Sequence, residues 1–125
     1  MNTKTRAVRI GGLAEEKKAE NIVILDVSRL SNFVSYLVIC SVNSSTQLET
    51  VVDFISEGME KEKITALHQD GRRSSIWRVL DYGDVLVHVF HREARDFYRL
   101  EKLWGEARQI QGKRKNDQRK SKTVN

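Results

Sequence analysis

The side chains that could do chemistry lie close together near the middle of a predicted hairpin. Asp81 and Asp84 bracket a Tyr-Gly pair, and His88 and His91 follow shortly after. Acid–base catalysis or metal binding would need two such groups side by side, but residues three apart on a strand point to opposite faces. Aspartate is also a common turn residue because its carboxylate accepts hydrogen bonds from nearby backbone N–H groups. The pattern therefore favours structural or interface roles.

Other signatures of catalysis and cofactor binding are absent from the sequence. The Gly11-Gly12 pair lacks both the Gly-Lys-Ser/Thr ending and the preceding strand of a phosphate-binding loop. One cysteine and three histidines provide no zinc-binding spacing. Cys40 lies inside an apolar run and is predicted to be a buried thiol. We therefore expect no enzymatic activity, no metal and no cofactor.

The formal net charge of +5 is concentrated at the C-terminal end of the chain. Residues 107–125 contain seven basic residues and one acidic residue, so the rest of the chain is close to neutral. An RNA-binding domain usually carries a basic face, which argues against that class for residues 13–106. The tail itself has two interpretations: its lysines contact RNA phosphates, or it is a solvated extension.

The pattern of apolar residues predicts a single α/β domain over residues 13–106, after a flexible arm over 1–12 and before a basic, disordered tail over 107–125. Ser44 and Gln47 form a capping box at the start of its longest helix. The order of elements implies a layered fold with a mixed sheet and helices mainly on one face. The predicted helices are 13–20, 45–62 and 93–105, and the predicted strands are 22–27, 36–41, 64–68, 76–80 and 85–90.

The register of the last hairpin decides which side chains share a face. If Tyr82-Gly83 is a two-residue turn, Trp77 pairs with His88. One face then carries Trp77, Val79, Leu86, His88 and Phe90, and the other carries Arg78, Leu80, Val85, Val87 and Val89. A turn one residue longer moves Trp77 to the valine face, and the sequence leaves both registers open. In the first register the aromatic face suits protein docking; alternatively, Trp77 belongs to the core.

Several segments resemble the Iojap or RsfS family of ribosomal silencing factors. The most specific are the tryptophan hairpin, WRVLDYGDVLVHVFH over 77–91, and the segment that follows it, EARDFYRLEKLW over 93–104. Similar stretches are KKAENIVILDV over 17–27, YLVI over 36–39 and NSS over 43–45. The resemblance covers roughly residues 13–106. Ser35 and Ser75 depart from it, standing where family members commonly have Asp and Gly.

The resemblance implies a nucleotidyltransferase-like fold without enzymatic activity, because the Asp-x-Asp pair of active nucleotidyltransferases is missing around residues 40–45. It also implies binding to ribosomal protein fourteen of the large subunit, which blocks the small subunit and represses translation when nutrients are short. The residues expected to contact this partner are Trp77, Asp81, Tyr82, His88 and Phe90, with Leu80 as a weaker candidate. The alternatives are an RNA-binding module and a nucleotide-binding protein of nucleotidyltransferase-like fold.

The expected location is the cytoplasm, without membrane contact. The longest apolar runs, such as 22–25 and 36–40, are too short to span a bilayer, and no charged-then-apolar leader opens the chain. The apolar sheet face could also hold two copies of the free protein together until the ribosomal partner displaces one of them. A homodimer of the free protein is therefore a further expectation.

Overall fold

The computed structural model describes residues 1–94 and 108–110, which form a mixed sheet with helices on one face. The strand order is β3-β4-β5-β2-β1-β6; β2 and β5 pair in parallel, and every other neighbouring pair is antiparallel. This confirms the predicted α/β class with a mixed sheet. The elements are α1 (Thr3–Glu16), β1 (Glu20–Asp26), β2 (Tyr36–Val42), α2 (Ser45–Glu60), β3 (His68–Asp70), β4 (Trp77–Asp81), β5 (Val85–His91) and β6 (Arg108–Gln109).

The two helices pack side by side on the same face of the sheet, as predicted. Helix α2 begins as expected: the Ser44 hydroxyl accepts a hydrogen bond from the Gln47 N–H at 3.0 Å, and the Gln47 side chain accepts one from the Asn43 N–H at 2.8 Å. The Gln47 amide also donates to the carbonyls of Lys17 and Lys18 just after α1. Gln47, at the start of α2, therefore also fixes the C-terminal end of α1. The predicted helix over 93–105 lies outside the described residues apart from its first two positions.

The prediction of a flexible arm over residues 1–12 is wrong, because α1 already begins at Thr3. Asn2 caps the helix by accepting a hydrogen bond from the Thr5 N–H at 2.8 Å, and Ile10 is fully buried in the core. Gly11 lies against β1, where a Cβ atom would come within 3.0 Å of the Ile24 side chain. Glycine has a low helix propensity, but here it allows α1 to approach the sheet closely. The apolar surface buried by this packing stabilises the helix more than the glycine weakens it.

The prediction of a strand over 64–68 is also wrong, because the segment before β3 completes the end of α2. Lys63 adopts a left-handed conformation with φ of 65°. The Ile64 N–H then bonds to the Met59 carbonyl at 3.0 Å, and the Lys63 N–H bonds to the Glu60 carbonyl at 2.8 Å. This is the Schellman arrangement of a helix C-terminus. Ile64 packs against the helix-side core, so its apolar character serves the helix end.

The predicted disordered tail is structured at its start. Arg108–Gln109 pair with Asp26 and Leu25 as strand β6, and the Ile110 N–H bonds to the Ile24 carbonyl at 2.7 Å. Strand β1 would otherwise present unpaired backbone groups here, which a following segment of the chain can satisfy. Residues 111–125 of the predicted tail lie outside the described residues.

Among the described residues, the helix-covered face buries one charged side chain. Arg78 on β4 is only 4% exposed, and its guanidinium contacts the Glu49 carboxylate on α2 and, at 3.4 Å, the Gln69 side chain on β3. A buried guanidinium needs such partners because removing it from water without them is unfavourable. The contact joins α2 to the edge of the sheet. It also confirms that Arg78 lies on the valine face of the hairpin.

Candidate protein-docking surface

The hairpin turn lies one residue later than predicted. Gly83 and Asp84 are its two central residues, since the Tyr82 N–H bonds to the Val85 carbonyl at 2.9 Å and Gly83 has a φ of 90°. The first central position of this turn type needs a positive φ, which glycine adopts without strain and tyrosine does not. Trp77 therefore pairs with Phe90, and the predicted pairing of Trp77 with His88 is wrong.

The assignment of side chains to faces nevertheless agrees with the first predicted register. The pairing is shifted by two residues, and a shift by an even number leaves the alternation of faces unchanged. One face of the hairpin carries Trp77, Val79, Leu86, His88 and Phe90, together with Asp81. The valine face carries Arg78, Leu80, Val85, Val87 and Val89 and lies beneath the helices.

Two of the six predicted contact residues lie on the helix-covered face, so we exclude them from the docking surface. Leu80 is 0% exposed and Tyr82 is 5% exposed, and both belong to the core beneath α1 and α2. Burial raises the pKa of Tyr82 to about 12; the nearby Ser56 side chain opposes this shift and the Glu60 carboxylate adds to it. A partner on the opposite face of the sheet cannot reach either side chain.

The two aspartates of the turn make hydrogen bonds within the protein. The Asp81 carboxylate accepts one from the Gly83 N–H at 2.7 Å, which fits the turn role expected for aspartate. The Asp84 carboxylate accepts hydrogen bonds from the Thr3 hydroxyl and the Arg6 guanidinium, both at 2.6 Å. Asp84 thus ties the hairpin tip to the start of α1. The described part of the chain contains no group of His, Cys, Asp and Glu residues that could hold a metal ion.

Three of the remaining predicted residues, Trp77, Asp81 and His88, lie on a strip along β4 and β5 that is called here the aromatic strip. Trp77 and Leu86 are half-buried and pack against the edge of a second apolar cluster, to which Phe90 belongs. Phe90 lies on the same face but is only 4% exposed, so we exclude it too as a direct contact with a partner. Its ring lies nearly parallel to that of His88, with 5.9 Å between ring centroids. The aromatic strip consists of the half-buried side chains of Trp77, Val79, Asp81, Leu86 and His88.

His88 is held in the strip as a neutral side chain. Burial lowers its pKa from 6.5 to about 4. Its Nδ1 atom is buried and has no hydrogen-bond partner among the described residues. Protonation would place an unpaired N–H and a charge in this position, which is unfavourable. The prediction that His88 is an interface residue therefore concerns a neutral ring.

The stability of the protein should depend on pH through His88. Because folding lowers its pKa from 6.5 to about 4, the unfolded chain binds a proton more readily than the folded one. The free energy of unfolding should therefore fall as pH drops from 6.5 towards 4, by up to about 1.4 kcal/mol per pH unit. We expect His88→Gln to flatten this slope in urea denaturation, whereas His68→Gln, at an exposed histidine, preserves it. An unchanged slope in His88→Gln would contradict the burial of a neutral ring.

Sequence reasoning missed a glycine that supports the strip. Gly71 has a φ of 84°, and a Cβ atom there would lie 2.7 Å from the Trp77 carbonyl oxygen and 2.8 Å from its Cε3 atom. The backbone thus passes directly against the indole ring, where any side chain would intrude. The Asp70-Gly71 pair was a visible turn signal, but only the pairing of β3 with β4 brings Gly71 to Trp77.

Comparison with known proteins points to one family. The model of the family described as "Ribosomal silencing factor during starvation" matches residues 1–125. Ribosomal silencing factor RsfS of Bacillus subtilis is 36% identical over 86% of this chain and 91% of its own length. Protein Iojap, chloroplastic, of maize is 33% identical over 84% of this chain and 46% of the maize protein.

Solved structures share the fold. A crystal structure of a Chromobacterium violaceum protein superposes with a TM-score of 0.81 at 26% identity, covering 84% of this chain and 88% of the other. One from Bacillus halodurans gives a TM-score of 0.72 at 30% identity, covering 86% and 95%. The predicted likeness to nucleotidyltransferases stays a prediction. Within residues 1–94 and 108–110, no helix is long and apolar enough to cross a membrane.

Proposed function

The chain belongs to the RsfS family of ribosomal silencing factors, and from that premise we propose that it binds ribosomal protein fourteen of the large subunit through the aromatic strip. A protein bound at that position occupies the surface where the small subunit would dock. The two subunits then cannot join, and translation falls when nutrients are short. The mechanism is steric exclusion, which requires a complementary surface and no reacting group.

The observation that carries this proposal is the contrast between the two faces of the hairpin. The valine face is buried beneath two helices, whereas the other face presents a half-buried tryptophan and histidine. Aromatic side chains on paired strands are rigid, so they lose little conformational entropy when a partner covers them. Phe90 is buried on the same face, and its ring stacks beside that of His88.

Asp81 would supply the polar part of the contact. One of its carboxylate oxygens accepts the Gly83 N–H, which fixes the orientation of the side chain at the end of the strip. The carboxylate then suits a lysine or arginine of the ribosomal protein, and such charge-assisted contacts favour the correct partner over others. Contact of the basic tail with rRNA, a homodimer of the free protein and a cytoplasmic location stay predictions.

The experiment that tests the proposal measures binding of this protein to purified ribosomal protein fourteen, together with subunit joining. We expect a complex of one copy of each protein. We also expect that large subunits preincubated with this protein form fewer 70S particles with small subunits in a sucrose gradient. Inhibited joining without binding to ribosomal protein fourteen would move the docking site to another ribosomal component. Absence of both effects would refute the proposal.

A further inference from the structure

Large apolar side chains are exposed mainly at one end of the sheet. The described residues with this property are Met1, Leu30, Phe33, Leu67 and Ile76, and Phe33 is the most exposed at 86%. All except Ile76 lie at the end where the hairpin turns: Leu30 and Phe33 are in the β1–β2 loop, Leu67 is bonded to the last residue of β4, and Met1 precedes α1. These four residues are called here the apolar end.

The loop that carries Phe33 is held in place by hydrogen bonds. The Ser31 hydroxyl accepts bonds from the N–H groups of Phe33 and Val34, both at 3.1 Å. The Val27 N–H bonds to the Ser35 carbonyl at 2.8 Å, and the Ser35 N–H bonds to the Asp84 carbonyl at 2.8 Å. The loop is therefore fixed at its base and joined to the hairpin tip. Phe33 is presented to solvent by an ordered backbone, which lowers the entropy lost on binding.

The apolar end adjoins the aromatic strip at two points of the backbone. Val34, next to Phe33, packs against the same apolar cluster as Trp77 and Leu86. Leu67 adjoins the other side of the turn, since its N–H bonds to the Asp81 carbonyl at 2.7 Å. The four-residue step from Trp77 to Asp81 along β4 spans only about 13 Å. An interface that buries roughly 800 Å² on each partner is wide enough to include both the strip and the end.

We propose that the apolar end extends the docking surface around the hairpin tip and that Phe33 inserts into an apolar pocket of ribosomal protein fourteen. This inference rests on the proposed function. We expect the partner to be a protein, because these side chains gain free energy when apolar surface covers them. An RNA backbone would instead be bound by basic side chains. Residues 27–35 contain a single charged side chain, Arg29.

The test compares Phe33→Ala with Ile76→Ala, an exposed apolar side chain at the opposite end of the sheet, in titrations with purified ribosomal protein fourteen. We expect Phe33→Ala to weaken binding at least tenfold and Ile76→Ala to change it less than twofold. Because Phe33 is 86% exposed, its truncation should leave the thermal midpoint unchanged. Phe33→Leu, which keeps an apolar side chain, should retain part of the affinity.

The outcomes separate this inference from the proposed function. If the unmodified protein does not bind ribosomal protein fourteen, both the proposed binding and this inference are refuted. If it binds with a Trp77-dependent affinity that Phe33→Ala leaves unchanged, the proposed function stands and this inference is refuted. Sedimentation of each variant without the ribosomal protein measures self-association. If Phe33→Ala abolishes self-association and leaves binding to the ribosomal protein intact, the occupant is a second copy of this chain, and the inference is overturned.

Discussion

Replacement of Trp77 by alanine is expected to weaken binding to ribosomal protein fourteen by at least about 2 kcal/mol, or roughly 30-fold. Trp77 is the largest side chain of the aromatic strip, and it lies half-buried at the edge of an apolar cluster. A partner that covers it gains the burial of its exposed part, and the indole is already held against Gly71, the residue after β3. Isothermal titration calorimetry with the purified ribosomal protein measures the effect.

The control for this variant is Trp77→Phe, which keeps an aromatic ring in the same position. Its affinity should lie between those of the unmodified protein and Trp77→Ala. Because Trp77 also packs against the cluster, the free energy of unfolding of each variant is measured by denaturation, and binding is compared where all are folded. If Trp77→Ala binds as tightly as the unmodified protein, docking occurs elsewhere on the molecule, although the family assignment is unaffected.

Replacement of Gly71 by alanine is expected to destabilise the protein by about 2–5 kcal/mol. A left-handed conformation is unfavourable for a residue with a Cβ atom by roughly 1–2 kcal/mol, and Gly71 has a φ of 84°. The added atom would also lie 2.7 Å from the Trp77 carbonyl oxygen, and the overlap adds about 1–3 kcal/mol because this backbone is held in the sheet. Urea denaturation measures the loss. Displacement of Trp77 should weaken docking as well.

Gly12→Ala is the matched control. Gly12 lies inside α1, and a Cβ atom there would meet nothing within 4 Å. Alanine at an open helical position should stabilise the protein by roughly 0.5–1 kcal/mol. Both substitutions add one methyl group. If they change the free energy of unfolding in opposite directions, the difference comes from the space and backbone conformation at Gly71. A stability of Gly71→Ala equal to that of the unmodified protein would mean that the close approach to Trp77 is not present in solution.

The parts of the fold that sequence reasoning predicted are those with strong local signals. Helix α2 combines a capping serine with apolar residues at helical spacing, and its start was placed correctly. The N-terminal part of helix α1 was not predicted, because Gly11 and Gly12 suggest a break in the helix. In the structure Gly11 is needed instead for the close packing of α1 on β1. The start of the tail was missed because its pairing with β1 depends on an edge far away in the sequence.

The faces of the hairpin were predicted in part. Alternation along β4 and β5 correctly placed Trp77 and His88 on one face. The result is the same in the predicted and the observed pairing, because the two differ by two residues. Leu80 and Tyr82 were assigned to the surface although they lie under the helices. Both faces of this hairpin carry apolar residues, so their sequence pattern does not indicate which face the helices cover. The exposure of Phe33 was not predicted, because the exposure of a loop aromatic depends on the tertiary structure.

The parallel pairing of β2 with β5 also constrains the order in which the molecule can fold. Tyr36 pairs with Val85, and the segment between them includes all of α2, β3 and β4. During synthesis, strand β2 therefore has no partner on this side until the hairpin has left the ribosome. Neither the aromatic strip nor the loop contact with Asp84 can form earlier. The proposed docking surface can therefore form only after residues up to the end of β5 have been synthesised.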